Sequence, residues 1–79
     1  MHELILTEKA ANELLKLPIA TADRISLKLS VTQEQPWRYF SKLKERPEFS
    51  LRVGAYRVLA DINATAITVL HIEKRETVY

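Results

Sequence analysis

The sequence predicts an α+β fold, with elements in the order β-α-α-β-β-β and two helices packed on one face of an antiparallel sheet. Three observations lead there. Apolar residues recur at helical spacing between residues 8 and 33, punctuated by Pro18 and Pro36. They alternate at strand spacing between residues 49 and 72. The only glycine, Gly54, falls between two alternating runs, where a tight hairpin needs one. The chain of 79 residues is expected to form a single domain, 1–79, near the lower size limit for a core that folds without staples.

Each element has a local reason. "HELIL" alternates loosely and is followed by Thr7, a good helix N-cap. "EKAANELLKL" places Ala10, Leu14 and Leu17 on one helical stripe, and Pro18 ends it. Thr21 or Asp23 can cap a second helix through "RISLKLSVTQ", whose stripe holds Ile25, Leu29 and Thr32 and which closes at Pro36. "WRYFSKLKERPE" is a long connection with room for a helical turn; loops of that length are disproportionately functional. Trp37 and Tyr39 within it suit packing under the loop or stacking on a nucleobase. Three strands follow, "FSLRV", "YRVLADI" and "TAITVLHI", divided by Gly54-Ala55 and Asn63-Ala64.

Two-residue turns at those points fix a register. Arg52 then faces Arg57, Val53 faces Tyr56, Ile62 faces Thr65 and Arg57 faces Leu70. One face gathers Phe49, Leu51, Val53, Tyr56, Val58, Ala60, Ile62, Ile67, Val69 and His71, and the helices should cover it. His71 is expected there as a buried, hydrogen-bonded histidine. The other face carries Ser50, Arg52, Arg57, Leu59, Asp61, Ala66, Thr68, Leu70 and Ile72. Its Leu59, Leu70 and Ile72 beside arginines would suit an amphipathic partner.

Charge is distributed unevenly. Residues 1–35 hold four basic and five acidic side chains, and residues 36–79 hold eight and five. The basic excess of the second half fits either an anionic partner or a solvated face. Two opposed arginines repel. An acidic neighbour, with Glu48 and Glu73 the nearest, or an external anion would offset that cost. Lys74, Arg75 and Tyr79 follow the last strand and can fold over the same sheet end, with Lys42 and Lys44 reaching the rim. Guanidinium and ammonium groups hold phosphate oxygens, and a tyrosine can stack on a base or move a proton, so the set suits a phosphodiester.

Other chemistries find little support. Cysteine is absent, so disulfide frameworks and thiolate metal sites are excluded. His2 and His71 lie far apart and the carboxylates do not cluster, so neither metal nor cofactor is expected. No stretch of roughly 20 apolar residues spans a membrane. No signal-peptide pattern opens the chain, and a cytoplasmic location is expected.

"LKERPEFSLRVGAYRVLADI" followed by "ITVLHIEKRETVY" resembles the RelE/ParE superfamily of toxins. Leu51, Arg52, Val53, Gly54, Tyr56, Arg57 and Val58 match its "LRVGDYRV" motif, and Lys74, Arg75, Val78 and Tyr79 its basic ending. The likeness covers roughly residues 40–79. Ser50 and Glu48 stand where one branch carries lysines, Glu73 where glycine is usual, and Ala55 where a polar residue is usual. The resemblance implies the toxin of a type II toxin–antitoxin system, with a cognate antitoxin as partner and a RelE-like fold. In the RelE branch it implies a metal-independent endoribonuclease that cuts mRNA in the ribosomal A site, leaving a 2′,3′-cyclic phosphate. Carried over by position, Arg57 and Arg75 would stabilise the phosphate, Arg75 would also protonate the leaving oxygen, and Tyr79 would orient or deprotonate the 2′-hydroxyl. Lys74 would contact backbone phosphate and Arg52 would position RNA; Lys42 and Lys44, from the loop rather than by motif position, would bind RNA in place of the two missing lysines. Two alternatives stay open: a ParE-like inhibitor of DNA gyrase, and an RNA- or antitoxin-binding module with impaired catalysis.

Overall fold

The computed structural model describes residues 1–74. The chain enters through β1 (Glu3–Leu6) and turns at Thr7 into α1 (Glu8–Leu15). Thr7 is extended, and its Oγ1 accepts a bond from the Ala10 amide at 3.2 Å, the expected N-cap. The next helix, α2 (Ile19–Thr32), starts earlier than the caps Thr21 and Asp23 would allow. Its first turn closes instead on the Pro18 carbonyl, which accepts from the Ala22 amide at 2.9 Å. Ala20 and Ala22 are strong helix formers and sit at no steric cost just inside that start.

Pro36 opens a further turn, α3 (Pro36–Tyr39), at the first-turn position where its missing N–H costs nothing. A two-residue strand, β2 (Ser41–Lys42), then leads into β3 (Phe49–Val53), β4 (Tyr56–Ile62) and β5 (Ala66–Lys74). The long connection therefore holds both a helical turn and an edge strand. The sheet order is β1-β5-β4-β3-β2. The α+β class is as predicted, and β2 through β5 pair antiparallel. β1 departs from the expected pattern by pairing parallel to β5. The helices and the β2–β4 strands all lie between them in the chain, so the connection is far longer than the crossover parallel neighbours require.

Ala10 from α1 and Ile25 and Leu29 from α2 are buried against Leu51, Val53, Val58, Ala60, Ile62, Ile67, Val69 and Ile72 of the sheet. Thr32 is also fully buried on the predicted stripe, and its hydroxyl is satisfied by the Leu29 carbonyl at 2.7 Å. The helices thus cover one face of the sheet, and among the described residues the other carries no helix.

The β3–β4 hairpin has the predicted register, with Arg52 opposite Arg57 and Val53 opposite Tyr56. Gly54 has φ +59°, and no other described residue has positive φ, which selects a type II′ turn over type I′. The second hairpin differs from expectation. Its central residues are Ala64 and Thr65 rather than Asn63 and Ala64, because Asn63 takes the first corner. Asn63 Oδ1 accepts from the Thr65 and Ala66 amides, both at 2.9 Å. That side-chain bonding removes any need for positive φ. Ile62 consequently faces Ile67 rather than Thr65.

A bulge follows. Ala60 pairs with Val69, but Leu59 pairs with His71, so Leu70 is the extra residue in β5. Beyond it every side chain changes face. Ile72 pairs with Val58 and joins the core, whereas His71 leaves it, reversing the expectation for both. Arg57 faces Glu73 rather than Leu70.

Gly54→Ala should destabilise the protein. Its φ is costly for an L side chain, and the added Cβ would lie 3.3 Å from Arg24 Nη1. Urea denaturation should read a loss of about 1–2 kcal/mol, and an unchanged midpoint would contradict the turn assignment.

Candidate functional site: a charged row across the uncovered face

Strand pairing lines up Arg52, Arg57 and Glu73 across β3, β4 and β5 on the face without helices. The repulsion between the arginines is offset from inside the protein. Arg57 Nε donates to Glu73 Oε1 at 3.0 Å, and Arg57 Nη2 donates to the same oxygen. Both side chains are only partly exposed, which strengthens the pair relative to a free surface pair. Glu73, one of the two acids identified from sequence as possible counter-ions, therefore fills that role. Glu48 instead pairs with Arg46 at 3.3 Å.

The row continues behind Glu73. Its Oε2 lies 3.1 Å from His71 Nε2, and His71 Nδ1 lies 2.7 Å from Glu13 Oε2 on α1. Glu13 Oε1 accepts the Ile72 amide at 2.8 Å. β1 ends its pairing at Val69, so this carboxylate takes the place of a strand partner on the β5 edge beyond it. The sequence reading missed Glu13 and His71 as members of this cluster. The signal was present as a phase slip: Ile67 and Val69 are apolar at odd positions, Ile72 at an even one. The groups stand in series, with each ring nitrogen facing a different carboxylate, so they do not converge as a metal-ligand set.

The loop between β2 and β3 flanks the row. Leu43, Lys44, Glu45 and Arg46 share a cleft with Arg57, while Pro47 and Glu48 share another with Asp61 and Leu70. Leu59 lies between these clefts on β4 and is only 1% exposed. The apolar surface expected from Leu59, Leu70 and Ile72 is therefore not formed. Leu59 is buried, Ile72 is in the core, and Leu70 alone is partly open.

The structure brings together three of the residues singled out from sequence: Arg57, Arg52 and, across the cleft, Lys44. Two others lie elsewhere. Lys42 pairs with Phe49, so it shares the helix-covered side, with its Nζ 5.4 Å from the Phe49 ring centroid and 3.3 Å from the Pro47 carbonyl. Lys74 pairs with Tyr56 and falls on that side too. Arg75 and Tyr79 lie outside the described residues. Trp37 is half exposed and packs edge-on against Phe49, with ring centroids 5.5 Å apart, which is the packing alternative of its two readings. Tyr39 packs against the core with Lys28 over its ring.

With this geometry established, comparison with known proteins decides the family. The family model described as the ParE toxin of the type II toxin–antitoxin system parDE matches residues 4–79. The chain belongs to this family. The RelE/ParE resemblance of the sequence is thereby borne out over nearly the whole ParE-family chain. The toxin–antitoxin complex RelBE2 from Mycobacterium tuberculosis contains a similar fold, with TM-score 0.84 and 25% identity over 94% of this chain and 98% of that one. The archaeal RelE–RelB complex from Pyrococcus horikoshii OT3 contains another, with TM-score 0.80 and 20% identity over 94% of each chain. No curated protein sequence matches significantly. No helix among the described residues is long and apolar enough to cross a membrane.

The Arg57 hydrogen bond is the largest influence on the Glu73 carboxyl and holds it below its ordinary value. Burial opposes this, and His71 adds to the lowering. Because the folded-state value lies below the unfolded one, the pair contributes stability that is complete above the ordinary glutamate range. That contribution fades as pH falls through the folded value. Acid titration followed by circular dichroism should therefore show the wild type losing part of its stability advantage over Glu73→Gln below about pH 4.5. A difference that stays constant from pH 7 to pH 3 would contradict the ion pair.

Proposed function

We propose that this ParE-family toxin is a metal-independent endoribonuclease that cuts mRNA in the ribosomal A site. The observation that supports this reading most is the opposed pair Arg52 and Arg57 on the helix-free face, with Lys44 across a shared cleft. Guanidinium and ammonium groups are the side chains that hold the anionic oxygens of a phosphodiester backbone. Arg75 follows Glu73 by two residues in sequence and Tyr79 by six.

In the reaction, the substrate's own 2′-oxygen attacks the adjacent phosphorus and the 5′-oxygen leaves. The products are a 2′,3′-cyclic phosphate and a 5′-hydroxyl. Tyr79 orients the 2′-hydroxyl or takes its proton, and Arg75 returns a proton to the departing oxygen. Arg57 and Arg75 stabilise the charge on the pentavalent phosphate. The nucleophile belongs to the RNA, so positioning and charge stabilisation carry the rate. Arg52 and Lys44 hold backbone phosphates on either side, and Lys42 and Lys74 contact RNA that wraps round the rim.

An antitoxin is proposed as the protein partner. The two solved relatives were determined as toxin–antitoxin complexes. Apolar side chains at Leu15, Ile19, Leu27 and Val31 are exposed on the helical layer, a surface that suits a partner better than solvent.

A second reading has its own support. The matching family is named for ParE, and Arg57 is already charge-paired by Glu73. Both favour a gyrase-directed toxin, or an RNA- or antitoxin-binding module without catalysis, neither of which needs Arg57 free to stabilise a transition state.

Primer extension on mRNA from a translating extract should reveal new 5′ ends on addition of the toxin, and none without ribosomes. Arg75→Ala should reduce cleavage by about 10²–10³. Tyr79→Phe should fall nearly as far as Tyr79→Ala if the hydroxyl moves a proton. Intact mRNA together with blocked DNA supercoiling would overturn the endoribonuclease reading in favour of gyrase.

A further inference from the structure

Glu73 stands where the superfamily motif usually has glycine, and this chain places it directly opposite Arg57. Both donors that Arg57 turns toward β5 end on one oxygen of Glu73. The other oxygen is held from behind by His71, which Glu13 steadies in turn. The carboxylate thus takes the Nε and Nη2 donors of the guanidinium, an edge that can equally hold a phosphate oxygen. Arg52 and Lys44, on either side, make no ion pair among the described residues.

We propose that Glu73 is an intramolecular counter-anion that occupies Arg57 in the free toxin and must be displaced by an RNA phosphodiester before Arg57 can act. This rests on the reading above, in which the Arg52–Arg57 face receives RNA backbone. An incoming phosphodiester meets both the occupied guanidinium and the repulsion of the carboxylate. Only RNA held by several contacts at once overcomes them. The device sets a threshold: isolated phosphate or a short free RNA binds poorly, whereas RNA presented at high local concentration displaces Glu73. Displacement proceeds by competition rather than protonation. The Arg57 bond keeps the Glu73 carboxyl below its ordinary range, so the pair stays charged at neutral and mildly acidic pH. The groups facing Glu73 are Arg57 and His71, with Glu13 beyond the ring.

The test is a double-mutant cycle read by fluorescence anisotropy. The probe is a single-stranded oligoribonucleotide carrying 2′-O-methyl groups, which cannot be cut, at fixed ionic strength. Glu73→Gln keeps a neutral acceptor beside Arg57 and removes the charge. It should tighten binding by about tenfold or more, and the gain should vanish in the Arg57→Gln background. An equal gain in both backgrounds would overturn the proposal, since it would report only the loss of a long-range negative charge. No gain in Glu73→Gln, with Arg57→Gln weakening binding, would overturn the counter-anion and leave Arg57 in the RNA site. No effect of either substitution would overturn both. Thermal melts check the fold, and Glu73→Ser gives a second charge-free variant if Gln perturbs the strand.

Discussion

One extra residue in β5, at Leu70, decides the chemistry of the uncovered face. Without that bulge, strict alternation would bury His71 beneath the helices and expose Ile72 beside the arginines. With it, Ile72 enters the core and Glu73 lands opposite Arg57. The hydrophobic term favours this choice. Burying an isoleucine is worth about 1.5–3 kcal/mol, while a buried imidazole would need partners the core does not offer. The bulge is also where β1 stops pairing, so the Ile72 amide turns to Glu13. A packing preference in the core and a charge arrangement on the surface therefore have the same origin.

The Arg52–Arg57–Glu73 row shows how a sheet can carry like charges side by side. Opposed arginines are unfavourable, and the type II′ turn at Gly54 forces them together by fixing the register. Glu73 relieves half of the conflict and leaves Arg52 outside the bond. The row has a net positive charge, with one arginine satisfied and one facing solvent. On the proposed reading, such a face would suit contact that depends on how the anion is presented. The acidic residue distinguishes it from a simple cationic patch, on which any polyanion would bind.

Much of the fold was legible in the chain. Thr7, Gly54 and the apolar alternation each have one local physical meaning, and each element they announce is present. The Arg52–Arg57 pairing followed from a two-residue turn at Gly54 alone. What failed to read correctly were features set by competition between neighbours. Asn63 could supply positive φ or a side-chain acceptor, and it supplies the acceptor. Pro18 could end one helix or start the next, and it does both. A bulge has no residue signature. It shows only as apolar periodicity changing phase between Val69 and Ile72. The cluster of Glu13, His71 and Glu73 could not be assembled without that phase. The parallel seat of β1 could not be read either, because a short alternating strand does not encode its neighbour.

The most direct test of this account is the state of the Arg57 guanidinium in solution. In an Nε–Hε correlation spectrum of nitrogen-15-labelled protein, Arg57 should give a resolved, slowly exchanging signal at neutral pH. That signal should move toward the averaged position of the exposed arginines in Glu73→Gln. It should also shift when the uncleavable oligoribonucleotide is added, as the carboxylate is replaced by phosphate oxygen. An Arg57 signal that is already averaged with the others in the wild type would contradict the account, because Glu73 would then not hold it.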